Sequence, residues 1–548
     1  MQFLWFDINA SFSHSSLALP ALEAQLSVSQ RERIKWQVVN GTIKSDPSTC
    51  LLDIIKFAPD VIFATLWLFN HNFVMSVLKK AYILNPGIKI ILGGPEFLGD
   101  NFIFLRNNPE ISAVFRGEGE EIFPELVESL LNFEKWKSTK GICFIDDSGF
   151  YHDNQTVYVN DFEKLAPPEN SKFFNWDKPF IQIETSRSCF NTCKFCISGK
   201  TCIKTKNLPV DSLRKRLNTI KDKGIREVRI LDRTFNANPA RAIVLLSLFE
   251  EYSSYIQFHL EVHPSFLTPK LREKILNIPQ GLLHVEVGIQ SLDDNVLKIS
   301  GRMGSAGKSF EGLKFLVCAN KFIVHADLIA GLPSYSFKHL LRDLVSLIDA
   351  GPDEIQIESL KVLPGTEFRE NSTQFGIVFS ASPPYEVLKT ASISTEELQI
   401  ASYLSRLTDI WYNNTKWQKF LRKSVKLDNE FLEKFLYYTI ENHSLNQIMS
   451  LDSSGLILYE FCEKYYLHCL GDLSEAWIIA GLSLKKKPAT CVKKWKSGRD
   501  TDLVNPFLIN LNTKNTYYYL ECSDKIIWFE FENTIRGAVP SKSITVRL

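Results

Sequence analysis

Glu184-Thr185-Ser186-Arg187-Ser188-Cys189-Phe190-Asn191-Thr192-Cys193-Lys194-Phe195-Cys196 brings three cysteines together just after an apolar run, Ile181–Glu184, that reads as a strand. Thiolates are soft ligands suited to iron–sulfur clusters or zinc. A [4Fe–4S] cluster normally takes four thiolates. Three would leave one iron open, as a catalytic metal site keeps a position for its substrate. The competing reading is a structural zinc knuckle with Cys202 as fourth ligand. A knuckle leaves the regular pattern that follows unexplained.

That pattern is an alternation of short apolar runs and amphipathic stretches. Strands are expected at Ile181–Glu184, Glu227–Leu231, Gln257–Val262, His284–Ile289, Val324–Ile329 and Glu354–Ser359. Helices are expected at Val210–Lys223, Ala240–Tyr252, Pro269–Leu276 and Phe337–Ile348. Six βα units are too few for an eight-fold barrel, so residues 181–370 read as an open, partial (β/α)6 barrel of TIM type. Its chemistry would sit where strands give way to βα loops, which is where the cysteines fall.

Upstream, residues 1–133 repeat the alternation. Strands at Phe3–Asp7, Trp36–Asn40, Val61–Leu66, Ile88–Leu92 and Ala113–Phe115 interleave with helical patterns around Leu17–Leu26, Leu51–Phe57, Phe73–Leu84 and Phe102–Arg106, and Glu120–Leu131 follows. Apolar strands with crossover helices imply a parallel sheet covered on both faces. Five such strands make it flavodoxin-like (Rossmann-like), with ligands beyond the carboxyl ends. Residues 134–180 read as a linker. It holds a small hairpin, Gly141–Ile145 with Thr156–Val159, around Asp147-Ser148-Gly149. Residues 371–548 are aromatic-rich and mainly helical, with helices at Ser394–Trp411 and Asn429–Tyr438 and a strand at Ile526–Phe531.

Composition narrows the class. At 548 residues, 45% hydrophobic and 23% charged, the chain is a folded, multidomain protein rather than a disordered one. A net charge of +1 gives no reason to expect nucleic acid or a membrane surface as the main partner. No apolar run has the length of a membrane span, and the N-terminus lacks the pattern of a secretory signal. A cytoplasmic location is expected, and the 11 cysteines then read as reduced thiols, some of them ligands.

Cys-x3-Cys-x2-Cys after a first barrel strand resembles the signature of the radical S-adenosylmethionine (SAM) superfamily. Thr185–Cys189, Val287-Gly288-Ile289-Gln290-Ser291, Asp327-Leu328-Ile329-Ala330-Gly331-Leu332-Pro333 and Leu363-Pro364-Gly365-Thr366 are similar to motifs of one branch. That branch joins an N-terminal cobalamin-binding domain to the radical barrel. Leu231–Asn236 and Pro383-Pro384-Tyr385-Glu386 resemble a subgroup with a C-terminal domain of unknown function. The resemblance implies that Cys189, Cys193 and Cys196 hold the cluster and that its open iron chelates SAM. A reduced cluster would then break the carbon–sulfur bond, and the resulting 5′-deoxyadenosyl radical would take a hydrogen atom from the substrate. An electron donor such as flavodoxin or ferredoxin is implied as partner.

The resemblance also suggests which residues surround SAM. Phe195 would lie against the adenine. Asp232, with Thr234 and Asn236 nearby, would receive the methionine amino group. Glu286, Gln290 and Ser291 would face the ribose, Arg302 the methionine carboxylate, and Lys361–Leu363 the adenine. Asp327 and Glu358 are further strand residues that could face the interior. In the first domain, Thr65, Gly93, Gly94 and Glu118 stand where the family contacts cobalamin. The usual Asp-x-His-x-x-Gly is absent: the chain reads Asp7-Ile8-Asn9-Ala10-Ser11-Phe12-Ser13-His14, so His14 need not ligate cobalt.

Two features of the last third have bland and sharp readings. Lys485-Lys486-Lys487-Pro488 and Lys493-Lys494-Trp495-Lys496 form a basic patch that could touch RNA, although a solvated face explains it as well. Cys462, His468, Cys469 and Cys491 could gather a second metal, but their spacing matches no defined pattern. The functional expectation is cobalamin-dependent methyl transfer or rearrangement on an unidentified substrate. The alternatives are a cobalamin-independent radical enzyme, such as a tRNA methylthiotransferase or a cyclase, and a zinc-stabilised nucleic-acid-binding module.

Overall fold

The computed structural model describes residues 1–132, 135–200, 205–489, 491–496, 505–507, 515–522, 525–532 and 539–547. Cys202, the fourth ligand of the zinc reading, lies outside them. The chain forms two compact units. One is Met1–Val324 with Ile329–Ser336 and Ser359–Leu398; the other is His325–Leu328 with Phe337–Glu358 and Gln399–Leu548.

The first sheet begins the chain. Its strands are β1 (Gln2–Asn9), β2 (Lys35–Thr42), β3 (Val61–Thr65), β4 (Lys89–Gly93), β5 (Ala113–Phe115), β6 (Ile142–Ile145) and β7 (Tyr151–Asp153). They lie in the order β2-β1-β3-β4-β5-β6-β7, the first five parallel and the last two antiparallel. The parallel part has the 2-1-3-4-5 order of flavodoxin-like sheets. Alternate residues feed two separate cores. Leu4, Phe6, Ile62 and Ala64 enter one, and Phe3, Trp5, Val61 and Phe63 the other. Burial on both faces is why these strands read as unbroken apolar runs.

The hairpin differs from expectation. Its second strand is β7, not Thr156–Val159. The Asp146 carboxylate accepts from the Ser148 and Phe150 amides, which closes the turn at once. Val157 instead runs parallel to Gly117, exchanging bonds with Arg116 O and the Glu118 amide. The helix expected over Glu120–Leu131 starts later, at Phe123, with Pro124 in its first turn. The pattern around Leu17–Leu26 is a short helix, Ala18–Glu23, and a second one, Val28–Glu32, follows behind a Ser27–Gln30 capping box.

The second sheet starts at β8 (Ile181–Ile183). Two short strands, β9 (Ser186–Arg187) and β10 (Lys206–Asn207), pair with each other around the cysteine loop. Then come β11 (Glu227–Ile230), β12 (Gln257–Val262), β13 (Leu283–Gln290), β14 (Ile323–Ala330) and β15 (Glu354–Ser359). The order β15-β14-β13-β12-β11-β8 is a six-stranded open arc, the partial barrel expected. Along β12 and β13 buried residues alternate strictly with half-buried ones. Val285, Val287 and Ile289 fill the core, while Glu286, Gly288 and Gln290 take the other face. Beyond the arc, β16 (Val378–Phe379) and β17 (Val387–Lys389) form a small antiparallel pair.

In the second unit, helices Thr415–Leu427, Phe431–Asn442, Leu451–Tyr465 and Leu470–Ile479 enclose Trp417, Phe431, Phe435, Phe461 and Trp477, all fully buried. Strands β18 (Lys493–Lys494), β19 (Thr516–Glu521), β20 (Lys525–Phe531) and β21 (Lys542–Arg547) follow as an antiparallel sheet. Among the described residues, no helix is long and apolar enough to cross a membrane.

Candidate active site

The cysteine loop is anchored before it reaches its first cysteine. Asp232, 2% exposed just beyond β11, accepts four hydrogen bonds. They come from Thr185 N (2.7 Å), Thr185 Oγ1 (2.5 Å), Ser186 N (2.9 Å) and Ser186 Oγ (2.7 Å). Both oxygens are thereby used, so the carboxylate expected to receive an amino group instead holds the chain entering the loop. A buried carboxylate with four donors is well compensated, and removing it would strand those donors. Arg241 ties the same segment from its other side, donating to Thr185 O at 3.1 Å and Leu208 O at 2.8 Å.

The thiols are largely shielded from solvent. Cys193 is buried, and Cys189 and Cys196 are intermediate. Burial pushes the Cys193 thiol up to about 11, against the nearby Arg302 guanidinium, with Cys196 and Cys189 adding to the rise. Arg302 Nη1 is 3.9 Å from Cys193 Sγ and its Nη2 donates to Gly288 O, so this arginine packs on the loop itself. Thr234 Oγ1 lies 3.7 Å from Cys189 Sγ and donates to Arg233 O at 2.6 Å. Asn236 is spent on the backbone of His263, bonding its O and N at 2.9 and 2.8 Å. His263 is 2% exposed; burial, then Arg302, lowers its imidazole to about 3, so it is neutral. Phe195 is half-buried.

On β13, Gly288 leaves room that a side chain would fill. A Cβ there would come within 2.5 Å of Gln290 Nε2 and 3.3 Å of Arg302 Nη2. Gln290 itself has φ +67°, a left-handed turn at the strand's end. Glu286 takes His259 as its partner, Nε2 to Oε2 at 3.2 Å. Ser291 is fully buried and accepts from Asp293 N, which makes it a turn former. Leu363 O accepts from Thr366 Oγ1 at 2.7 Å. In the second unit Asp327 pairs with His325 at 3.1 Å, and Glu358 accepts from Gln356 at 2.6 Å.

Two adjoining cavities open at the carboxyl edge of the first sheet. One of about 420 Å³ is walled by Trp5, Phe63, Ile91, Phe115 and Phe123 and bounded by Thr65, Gly93, Gly94 and Glu118. Its far side is the cysteine loop: Ser186, Arg187, Ser188, Ile197 and Ser198. Gly94, at φ +109°, lets the backbone cross here; a Cβ would sit 2.6 Å from Leu66 O. The other cavity, about 800 Å³, is lined by Asn9, His14, Trp67, Phe69, Glu184 and Arg233 among others. Trp67, Glu120, Glu184, Arg187 and Arg233 line both. His14 bonds Ser11 Oγ through Nδ1 at 2.7 Å and packs edge-on against Phe180 at 5.5 Å.

These walls fit the groups the sequence implies. Three soft ligands lie on one anchored loop. Among the described residues no three His, Cys, Asp or Glu side chains converge on a single ion, but a cluster puts each thiolate on its own iron. The cavity beside the loop is deep, apolar within and glycine-edged. At its mouth Arg187 faces Glu118, Glu120 and Glu184, a surplus of acceptors suited to amide donors on a corrin rim. Sequence reasoning gave Glu184 and Gly288 no role of their own, although both stand inside stretches it singled out; a carboxylate or a glycine within a motif carries little separate signal.

A family model of the radical SAM superfamily matches residues 183–345, a B12 binding domain model residues 11–127, and a model for a protein of unknown function (DUF4080) residues 373–495. The chain is a radical SAM enzyme with a B12-binding domain. Its cofactors are a [4Fe–4S] cluster, SAM and cobalamin. The enzyme is 25% identical over 358 residues to the uncharacterized methyltransferase PH0819 of Pyrococcus horikoshii, covering 63% of this chain and 77% of that one. It is 21% identical over 348 residues to the cobalamin-dependent radical SAM methyltransferase TokK of Streptomyces tokunonensis, covering 58% of this chain and 50% of TokK. The fold is similar to that of the cobalamin-dependent SAM radical enzyme OxsB, solved with aqua-cobalamin bound. The TM-score is 0.60 at 16% identity, over 87% of this chain and 79% of that one.

These matches overturn the zinc-module alternative for this radical SAM enzyme. The basic patch is also less open than its sequence suggests. Lys486 pairs with Asp452, Lys487 with Glu463 and Lys493 with Glu521. Trp495 packs edge-on against Tyr517 and Trp528. Cys462 and Cys469 are buried in the aromatic core and Cys491 is exposed, and among the described residues they form no metal-holding group.

Proposed function

We propose that this enzyme is a cobalamin-dependent radical SAM methyltransferase acting on an unactivated centre of a substrate not yet identified. The observation that carries the reading is the smaller cavity. Thr65, Gly93 and Gly94 of the first sheet and Ser188, Ile197 and Ser198 of the cysteine loop line one space. A corrinoid on one wall and a cluster behind the other would share it. In this division residues 1–133 carry the corrinoid, 134–180 link, 181–370 carry the radical chemistry, and 371–548 have a separate task.

When bound, the cluster supplies an electron to the SAM sulfonium and the corrinoid carries the methyl group. Cys189, Cys193 and Cys196 would hold the cluster, with Asp232 keeping their loop in place. Arg302, against Cys193 and Gly288, offers positive charge where the methionine carboxylate would lie. Gln290 stands at the end of β13 for the ribose, Phe195 and Leu363 for the adenine. Thr65, Gly93, Gly94 and Glu118 would border the corrinoid, and the apolar cavity walls exclude water from the reacting centre. A low-potential donor such as flavodoxin or ferredoxin would supply the electron. A reducing cytoplasm is the setting proposed for it, in keeping with cysteines that must stay as thiolates to hold a cluster.

The test is anaerobic reconstitution followed by iron, sulfide and cobalt analysis, with reductive formation of 5′-deoxyadenosine as the activity. The wild-type chain should hold both metals and cleave SAM, and Cys193→Ala should abolish cleavage. Iron without cobalt would favour a cobalamin-independent radical enzyme. Retained cleavage by Cys193→Ala would refute the cluster assignment.

A further inference from the structure

Arg187 sits two residues before Cys189, and its guanidinium is engaged by carboxylates from the first sheet's edge and from the end of β8. Its side chain is 13% exposed and faces three carboxylates. Nη2 reaches Glu120 Oε1 at 2.6 Å and Glu184 Oε2 at 2.8 Å, Nε reaches Glu184 Oε2 at 3.0 Å, and Nη1 lies 3.9 Å from Glu118 Oε2. The Phe162 ring packs against the guanidinium at 4.7 Å. Three parts of the chain therefore meet on one side chain. Glu118 and Glu120 come from the turn after β5, Phe162 from the linker, and Glu184 from the end of β8. Glu118 is braced in turn, accepting from Val159 N at 2.7 Å.

A half-buried charge cluster of this kind adds little net stability, because desolvation offsets the attraction. What it does well is fix geometry: a planar five-donor fork can serve two carboxylates along set directions, which an ammonium cannot. Arg187 also lines both cavities. We propose that Arg187 is a positioning residue that sets the separation between the cluster loop and the corrinoid pocket. The inference rests on the function proposed above and adds the part of the chain that keeps two cofactors in register.

Pulsed dipolar electron paramagnetic resonance on the holoenzyme measures this directly, using the reduced cluster and Co(II) cobalamin as the two spins. The wild-type enzyme should give one narrow distance distribution. Arg187→Lys, which keeps the charge and loses the fork, should broaden or shift it while iron and cobalt contents stay at wild-type levels. Glu120→Gln, which weakens one arm without emptying it, should broaden the distribution less. Unchanged distributions in both variants overturn the proposal, since a purely structural role would lower stability without moving the spins. A wild-type preparation that lacks either spin, or in which the two do not couple, overturns the functional reading and this inference with it.

Discussion

The two large sheets of this enzyme end in opposite ways. The first stops in backbone: Gly93-Gly94 after β4, Gly117 and Gly119 after β5, and an apolar hollow behind them. The second stops in side chains: Asp232 after β11, Gln290 at the end of β13, Arg302 beyond it, and three cysteines after β8. One edge works by leaving things out, the other by holding things still. A large flat cofactor needs room and close backbone approach. A metal cluster needs few ligands on a loop that does not wander. The same kind of sheet edge serves both because the loops, not the strands, carry the difference.

Filling the first edge should have the larger effect. At Gly94 a side chain meets Leu66 O at 2.6 Å and Thr65 Cγ2 at 2.8 Å, at a φ of +109° that β-branched residues do not tolerate. Gly94→Val should lower cobalamin retention roughly a thousandfold, the equivalent of about 4 kcal/mol, while the iron content stays at the wild-type level. Cobalt and iron measured on the same sample check this. Equal loss of both metals would mean that the two edges are not independent and would break the comparison.

This asymmetry explains what could be read in advance. The cysteine spacing and the apolar alternation are statements about side chains, and a chain shows its side chains plainly. Hence β1 to β5 and all six arc strands fell close to the expected positions. Where backbone geometry decides, the signal fades. The return strand of the hairpin around Asp147-Ser148-Gly149 was placed at Thr156–Val159, whereas the bonds that the Ser148 and Phe150 amides give to Asp146 close the turn sooner. Asp232 was assigned to a ligand because a carboxylate at a strand end invites one. That Thr185 and Ser186, 47 and 46 residues earlier, use both oxygens is a tertiary fact with no local trace. Glu286, expected to face the ribose, pairs with His259 on the neighbouring β12, two positions from its register partner Glu261.

Loosening the second edge should come next in size. Asp232→Asn keeps the shape of the carboxylate but turns an acceptor into an NH2 group facing the Thr185 and Ser186 donors. Losing charge-assisted bonds and stranding a buried donor costs about 2–3 kcal/mol. The cysteine loop should then hold its cluster poorly. Iron per chain should fall and the melting temperature drop, with cobalamin binding near normal. Full iron occupancy with an unchanged melting temperature would show that the loop needs no such anchor.

The smallest effect expected is a pH dependence on the first edge, where β1 ends beside a carboxylate. Burial raises Asp7 to about 6 from an ordinary 3.8, against the smaller pull of the Asn9 amide and Lys178. Because the folded value lies above the unfolded one, the folded state binds the proton more tightly. The contribution to stability is fully present below about pH 4 and is lost as the pH rises through 6. A neutral amide of the same shape escapes that loss. Asp7→Asn should therefore melt higher than the wild-type chain at pH 8, by about 1 kcal/mol once solvent screening is allowed for, and the advantage should fade towards pH 4. Thermal denaturation of both chains across that range checks it. An advantage that does not change with pH would mean that Asp7 is paired well enough to stay charged, and that this edge too relies on a side-chain interaction where backbone was thought to suffice.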